Sequence, residues 1–271
     1  MNYKQLMEAK ELALPIPFSV TANDTCPAAL FQYVPDGGDG GTAATLTYVQ
    51  GGNLTVTVGG AAPTGNDSFG TTGVISCAAA AYDTIGEVVN YFNSLPAWRA
   101  KLLCRPETLM ANILAQTSTS CLLDNGLALY LDTSVADTTY IWNAAITGSM
   151  FDNYGLAGSK SDVDDHCVNR FHMAQFTQDF TSAATAYLYV FKQGDTTATK
   201  VFTKALVDAT LTDMGNTTHP TQPWYEAPEG YTLCLEIRSD AATAFSTFTV
   251  LGSTIVRKNN RVVNRLAHVA A

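Results

Sequence analysis

Strand-length segments of alternating apolar and polar residues, separated by glycine-rich turns, constrain this chain more than any other feature. The clearest pair is TAATLTYV at 42–49 and NLTVTV at 53–58, joined by Gln50-Gly51-Gly52. A period of two places apolar side chains on one face of a strand, and glycine permits the positive φ of a tight turn. The pair therefore predicts an antiparallel hairpin with one buried face.

The composition extends this prediction to the rest of the chain. Charged residues make up only 14% of the 271 residues, whereas typical soluble domains contain about 25%. Hydrophobic residues make up 46%, so the chain can bury a core and is not a disordered protein. Threonine and alanine are the commonest residues, and β-branched threonine suits a pleated surface. A mainly β protein is expected.

One segment breaks the β pattern. Thr84 is followed three residues later by Glu87, which is the spacing of a capping box, and apolar residues then recur at helical intervals until Pro96. Candidate strands resume from 127 to 258 with turn signals between them, and no βαβ alternation is present. The predicted fold is an antiparallel β-sandwich or jelly-roll-like protein, with two β-rich parts and one amphipathic helix in the first.

These patterns divide the chain into four predicted segments. An N-terminal arm at 1–20 precedes a β-rich domain at 21–115, which contains the helix at about 84–95. A sandwich or jelly-roll-like domain follows at 121–258, and the Thr-Ser cluster at 117–120 is interpreted as a linker. A basic C-terminal tail closes the chain at 259–271.

Charge limits the partners. The net charge is −9 and the isoelectric point is about 4.7, so phosphate backbones and anionic membrane surfaces repel the protein. We expect no direct binding of nucleic acid and no membrane association. The first twenty residues lack the basic start and apolar stretch of a signal peptide, which favours assembly in the cytoplasm.

The six cysteines show no CxxC spacing, so buried free thiols are expected rather than zinc ligands or disulfides.

The densest polar cluster is a candidate metal site. Its members are Asp162, Asp164, Asp165 and His166. Carboxylates could offer oxygens to Ca²⁺ and the imidazole could join a transition-metal site. The spacing matches neither an EF-hand nor HExxH, and a solvated turn is the alternative.

Two further sets of residues are candidates for interaction. Trp224 and Tyr225 lie in a proline-rich loop, where aromatic rings could stack on a sugar or could pack over the core or a neighbouring subunit. A second set, on an acid-free stretch at the C-terminus, could lie on an acidic neighbour: Arg257, Lys258, Arg261 and Arg265.

Patterns typical of enzymes are weak. Asp132-Thr133-Ser134 follows an apolar run, as the catalytic aspartate of aspartic proteases does, but the required second copy has no convincing candidate. No GxSxG motif is present. We therefore expect no catalytic residue, no cofactor and no enzymatic activity.

One local stretch carries a resemblance. Residues 83–100, DTIGEVVNYFNSLPAWRA, are similar to a helix-then-strand element of capsid and tail accessory proteins of tailed bacteriophages. The Thr-rich, charge-poor composition of the chain is similar to that of the same class of virion structural proteins. The resemblance implies no cofactor and no catalytic residues. It implies a location in the virion, and partners that are copies of the chain and other virion proteins.

The sequence therefore leaves two candidate functions. The first is a non-enzymatic structural component of a phage particle, of the capsid decoration, head-fibre, neck or tail type, acting by subunit assembly. The alternative is a carbohydrate-binding or adhesive β-sandwich module, for which a host-surface glycan would be the ligand.

Overall fold

The computed structural model of the chain describes its residues in thirteen stretches. They are 14–21, 27–34, 43–65, 68–122, 126–132, 142–145, 167–179, 184–207, 210, 212–215, 225–228, 231–239 and 247–258.

The described stretches contain strands β1 to β16 and the helix α1. The strands of the first part are β1 Leu14–Thr21, β2 Pro27–Tyr33, β3 Ala44–Tyr48, β4 Asn53–Val58, β5 Val74–Ser76, β6 Trp98–Leu102, β7 Gln116–Ser120 and β8 Leu127–Tyr130. The later strands are β9 Trp142–Ala145, β10 Cys167–Asp179, β11 Ala184–Lys192, β12 Thr199–Leu206, β13 Thr212–Gly215, β14 Tyr225–Glu226, β15 Tyr231–Ser239 and β16 Thr247–Lys258. Helix α1 spans Ile85–Ser94, and a short 3-10 helix spans Met110–Asn112.

The strands form four antiparallel sheets. Two have the orders β5-β4-β3-β7 and β6-β2-β8, and a third has the order β12-β11-β15-β9. The fourth has the order β1-β16-β10-β13, and β14 pairs with β10 at its side. Among the described residues, one hydrophobic core cluster contains buried side chains from both the early and the later strands. The mainly β, antiparallel, sandwich-like fold with one amphipathic helix in its first part is thus confirmed.

Helix α1 begins and ends where its sequence predicts. The Thr84 hydroxyl accepts a hydrogen bond from the backbone N–H of Glu87, and the Glu87 carboxylate accepts one from the Thr84 backbone N–H, at 3.4 and 3.2 Å. This capping box satisfies donors that the first turn leaves without intrahelical partners. Phe92 on the buried face packs against Phe31 and Trp98, with ring centroids 4.6 and 5.5 Å apart. The helix is therefore held on the β6-β2-β8 sheet.

Three pairings differ from, or add to, what the sequence indicated. The interpretation of 117–120 as a linker is wrong, because β7 pairs with β3 as the fourth strand of its sheet. The sequence groups the segment 127–133 with the later strands, whereas β8 pairs with β2 in the early part of the fold. In addition, β1 pairs with β16 over eight residues, so the end of the predicted N-terminal arm is joined to the last strand.

Four cysteines of the described stretches are buried. Cys77, Cys104 and Cys121 are buried free thiols, as predicted, and Cys234 is buried as well. Burial raises the pKa of the Cys104 and Cys121 thiols to about 12, because a thiolate loses its hydration there. Such protonated thiols are poor nucleophiles. Among the described residues, no helix has the length and apolar character needed to span a membrane.

Candidate functional site

A buried ion pair joins the early part of the chain to the later strands. Arg105, which follows β6, donates from Nε to the Glu236 carboxylate of β15 at 3.1 Å. Glu236 is completely inaccessible to solvent, and the Arg105 side chain is 11% exposed. A buried carboxylate is costly unless a cation and hydrogen bonds replace its hydration, and Arg105 supplies such a cation.

Other groups surround the Arg105 guanidinium. One of its terminal nitrogens lies 3.3 Å from the carboxylate of Glu107, and its central carbon lies 5.2 Å from the ring centroid of Tyr189. The second carboxylate oxygen of Glu107 accepts a hydrogen bond from the backbone N–H of Ala198 at 3.0 Å. Arg105 therefore contacts two acids and an aromatic face that come from three separate segments.

A second contact, between uncharged groups, lies at the end of β6. The Gln193 side chain accepts from the backbone N–H of Leu102 at 2.8 Å and donates to the Leu102 carbonyl at 2.9 Å. One amide side chain thus replaces the backbone partner that a neighbouring strand would supply at Leu102. The amide of Asn90 in α1 adds a bond to the Gly194 carbonyl at 3.1 Å.

We call this set of contacts the junction: Asn90, Leu102, Arg105, Glu107, Tyr189, Gln193, Gly194, Ala198 and Glu236. Its carboxylates already accept hydrogen bonds from the protein, and the neighbouring Cys104 thiol is protonated. These contacts link the β6-β2-β8 sheet to the β12-β11-β15-β9 sheet.

Sequence reasoning missed the junction, although one signal was present. Glu236 is the only acid in the apolar run YTLCLEI at 231–237. A single acid in a strand that is otherwise apolar needs a buried cation, because desolvation of an unpaired carboxylate is expensive. The pattern could have indicated that Glu236 has a basic partner, but not that the partner is Arg105.

A second feature of the fold is a sheet without charge. Its strands are β3, β4, β5 and β7, and none contains Lys, Arg, Asp or Glu. Residues 40–66, 68–82 and 108–123, which contain these strands, are uncharged throughout. Each of the other three sheets contains charged residues in its strands. We call the β5-β4-β3-β7 unit the charge-free sheet.

Threonine covers the outer face of the charge-free sheet. Thr45 and Thr47 on β3 stand opposite Thr57 and Thr55 on β4, and all four are half-buried. The hydroxyls of Thr45 and Thr57 lie 2.8 Å apart and are hydrogen-bonded. The apolar residues between them, such as Leu46 and Val56, face the core. The alternation seen in the sequence thus separates a buried apolar face from a neutral polar one.

Asp132 contacts the β3–β4 turn and the 3-10 helix. Its carboxylate accepts a hydrogen bond from the Gln50 side chain at 2.7 Å, and its backbone N–H donates to the Asn112 carbonyl at 2.8 Å. Gln50 lies in the β3–β4 turn. Asp132 therefore ties the end of β8 to that turn and to the 3-10 helix.

Three of the predicted interaction residues lie in the described part of the chain. Tyr225 is half-buried against the core on β14, which pairs with β10. Arg257 and Lys258 end β16, opposite Val168 and Cys167 of β10. The remaining candidates lie outside the described residues: Asp162, Asp164, Asp165, His166, Trp224, Arg261 and Arg265. Within the described stretches, no group of three or more His, Cys, Asp and Glu residues is arranged to hold a metal ion.

Comparisons with protein-family models, with curated proteins and with solved structures found no match to this chain.

Proposed function

We propose that this protein is a non-enzymatic structural component of a bacteriophage particle, of the capsid decoration, head-fibre, neck or tail type. It acts by packing against copies of itself and against other virion proteins. The observation that carries the proposal is the charge-free sheet in a chain whose net charge is −9.

The electrostatic reason is repulsion between identical acidic bodies. Copies with the same net charge repel one another at short range, and salt screens this repulsion over about 8–10 Å. The centres of protein interfaces are depleted of charged residues. A sheet whose strands carry no charge lets two proteins approach without bringing like charges of the strands together.

The internal construction supports a mechanical role in a particle. The junction connects the early strands to β11 and β15 through an ion pair and an amide link, and one core runs across both sets of strands. Sheets held by long-range contacts of this kind resist local opening. Such rigidity favours a protein that must keep its shape outside a cell.

Two measurements test the proposal. Sedimentation velocity of the purified protein over a hundredfold range of concentration should reveal defined oligomers. Mass spectrometry of density-purified phage particles from the producing strain should find peptides of the chain in constant ratio to the capsid protein. A protein that is monomeric throughout and absent from particles would overturn the proposal. Glycan binding by such a monomer would favour the carbohydrate-binding alternative.

A further inference from the structure

One edge of the β6-β2-β8 sheet is closed by side chains. β6 is the outer strand of this sheet, and in an antiparallel pair the backbone groups of successive residues point alternately towards the partner strand and away from it. The Ala97 carbonyl accepts a hydrogen bond from the N–H of Val34, which follows β2, at 2.7 Å. Odd-numbered residues therefore turn their backbone groups towards β2, and Trp98, Ala100 and Leu102 turn theirs outwards.

Two amide side chains occupy the positions that the backbone of a further strand would take. Asn93 of α1 accepts from the Ala100 N–H and donates to the Ala100 carbonyl, both at 2.9 Å. Gln193, in the turn between β11 and β12, makes the same pair of bonds to Leu102, at 2.8 and 2.9 Å. A carboxamide carries one acceptor and donors side by side, as consecutive peptide groups do. Each amide therefore reproduces the paired bonds of two antiparallel strands.

The carbonyl of the third outward residue is also engaged. The Arg99 guanidinium donates to the Trp98 carbonyl at 2.6 Å and to the Pro96 carbonyl at 2.8 Å. Ala100 and Leu102 are only 8 and 1% exposed, so water has little access to their backbone groups. Buried N–H and C=O groups that lose their partners are costly, and at a sheet edge they pair readily with the edge of another chain.

We propose that Asn93 and Gln193 are edge-blocking residues, which prevent copies of this chain from joining through β6. Without the two amides, Ala100 and Leu102 would present free donors and acceptors at alternate positions of the strand. The same edge of a second copy, running antiparallel about a two-fold axis, offers the complementary groups. This inference goes beyond the proposed function and does not depend on it.

The outer strand β12 of another sheet is protected by different means. It contains Lys200 and Lys204, and its pairing with β11 shifts register between Leu188 and Tyr189. Lysines and bulges on edge strands hinder pairing with other chains. β6 pairs with β2 in continuous register, and its Lys101 is buried. The amides therefore supply at β6 the protection that lysines and a bulge supply at β12.

The test removes both amides in the full chain, with Asn93→Ala and Gln193→Ala combined. Sedimentation velocity over a range of concentrations compares this double variant with the wild type. We expect additional, larger species, with an association constant at least about tenfold above that of the wild type.

Two control variants lie on the same helix. Asn90→Ala removes an amide that bonds to the Gly194 carbonyl at 3.1 Å and not to β6. Val88→Ala shortens a buried side chain of α1 and so destabilises the protein without opening the edge. Both controls should sediment like the wild type.

Backbone amide exchange identifies the contact in the double variant. Mass spectrometry with electron-transfer fragmentation resolves the N–H groups of Ala100 and Leu102. In dilute solution both should exchange at least about tenfold faster than in the wild type, because their acceptors are gone. In the associated species both should become slow again, because a strand of the second copy replaces the amides.

Three outcomes contradict the inference. The first is a folded double variant that sediments like the wild type. The second is equal association of Val88→Ala, since instability alone would then explain it. The third is an associated species in which Ala100 and Leu102 still exchange rapidly, since the contact would then lie elsewhere.

The single variants Asn93→Ala and Gln193→Ala repeat the test should the double variant be unfolded, because each frees the groups of one residue only. All comparisons are made against the wild type, whatever its own state of assembly. A monomeric wild type would weaken the proposed function, whereas edge blocking would still be judged by the variants.

Discussion

At Gly70 the chain takes a conformation and a spacing that no other residue type tolerates. Its φ is +52°, and a Cβ built on it would lie 2.1 Å from the carbonyl oxygen of Val74. Its N–H donates to the hydroxyl of Tyr91 on α1 at 2.7 Å. The position therefore combines a left-handed backbone with close approach to another backbone segment.

We predict that Gly70→Ala destabilises the protein much more than Gly59→Ala. Gly59 also has a positive φ, +61°, but a Cβ there would meet nothing within 4 Å. Gly59→Ala should therefore cost only the backbone strain, about 1–2 kcal/mol. Gly70→Ala should cost at least about 2 kcal/mol more, because the Val74 segment must move. Urea unfolding monitored by tryptophan fluorescence measures both. Equal losses would mean that the close approach has no energetic consequence.

The buried thiols and Tyr48 predict a loss of stability at alkaline pH. Burial raises the pKa of Cys77 to about 11 and of Tyr48, Cys104 and Cys121 to about 12, from ordinary values of 9.0 for cysteine and 10.0 for tyrosine. Above about pH 9 the unfolded chain releases protons that the folded chain retains. Stability is therefore complete below pH 9 and falls as the pH rises towards 12, by up to about 1.4 kcal/mol per pH unit for each group.

Urea unfolding at pH 7.5 to 11 checks this alkaline loss, with Cys121→Ala as the comparison. The variant should be less stable at pH 8, because a buried side chain is shortened. Above pH 9 its stability should fall less steeply than that of the wild type, because one titrating thiol is missing. Curves that stay parallel across the whole range would contradict a raised pKa at Cys121.

At the scale of the elements, local patterns predicted most strands and the helix. The capping box and Pro96 fixed the ends of α1 to within one residue, because both act within a few residues of the chain. Period-two alternation predicted β3 and β4 for the same reason. The Thr-Ser cluster at 117–120 was misassigned because these residues are common in loops and in strands alike. Pairing with β3, some seventy residues earlier, decides between the two.

The junction and the sheet order could not be predicted because they depend on long-range packing. Arg105 and Glu236 are 131 residues apart, and Gln193 is 91 residues from Leu102. Nothing in either local sequence specifies the partner. The charge-free sheet could be predicted only in part: the absence of charge is visible in the sequence, whereas the contact of its β3–β4 turn with the 3-10 helix is not.

At the scale of the whole molecule, the junction is expected to make the early and later strands unfold together. A carboxylate that is completely buried depends on its cation, and Arg105 also contacts Glu107 and Tyr189. Removing Arg105 alone leaves Glu236 in the core without this partner. Removing both charges leaves no buried carboxylate at position 236, so the remaining cost comes from packing and from the lost contacts of Arg105 with Glu107 and Tyr189.

We therefore predict strong coupling in a double-mutant cycle of Arg105→Met and Glu236→Met. Arg105→Met alone should lower the free energy of unfolding by about 3–5 kcal/mol. The double variant should lose at least about 1 kcal/mol less than the sum of the single losses, because neither charge is then buried alone.

Arg99→Met is the control, since the Arg99 guanidinium donates to the carbonyls of Pro96 and Trp98 close by in the chain. It should cost about 1 kcal/mol and leave one unfolding transition. Additive losses for Arg105 and Glu236 would show that the two charges do not depend on each other. If Arg105→Met also splits unfolding into two transitions, the ion pair is what makes the two sets of strands one cooperative unit.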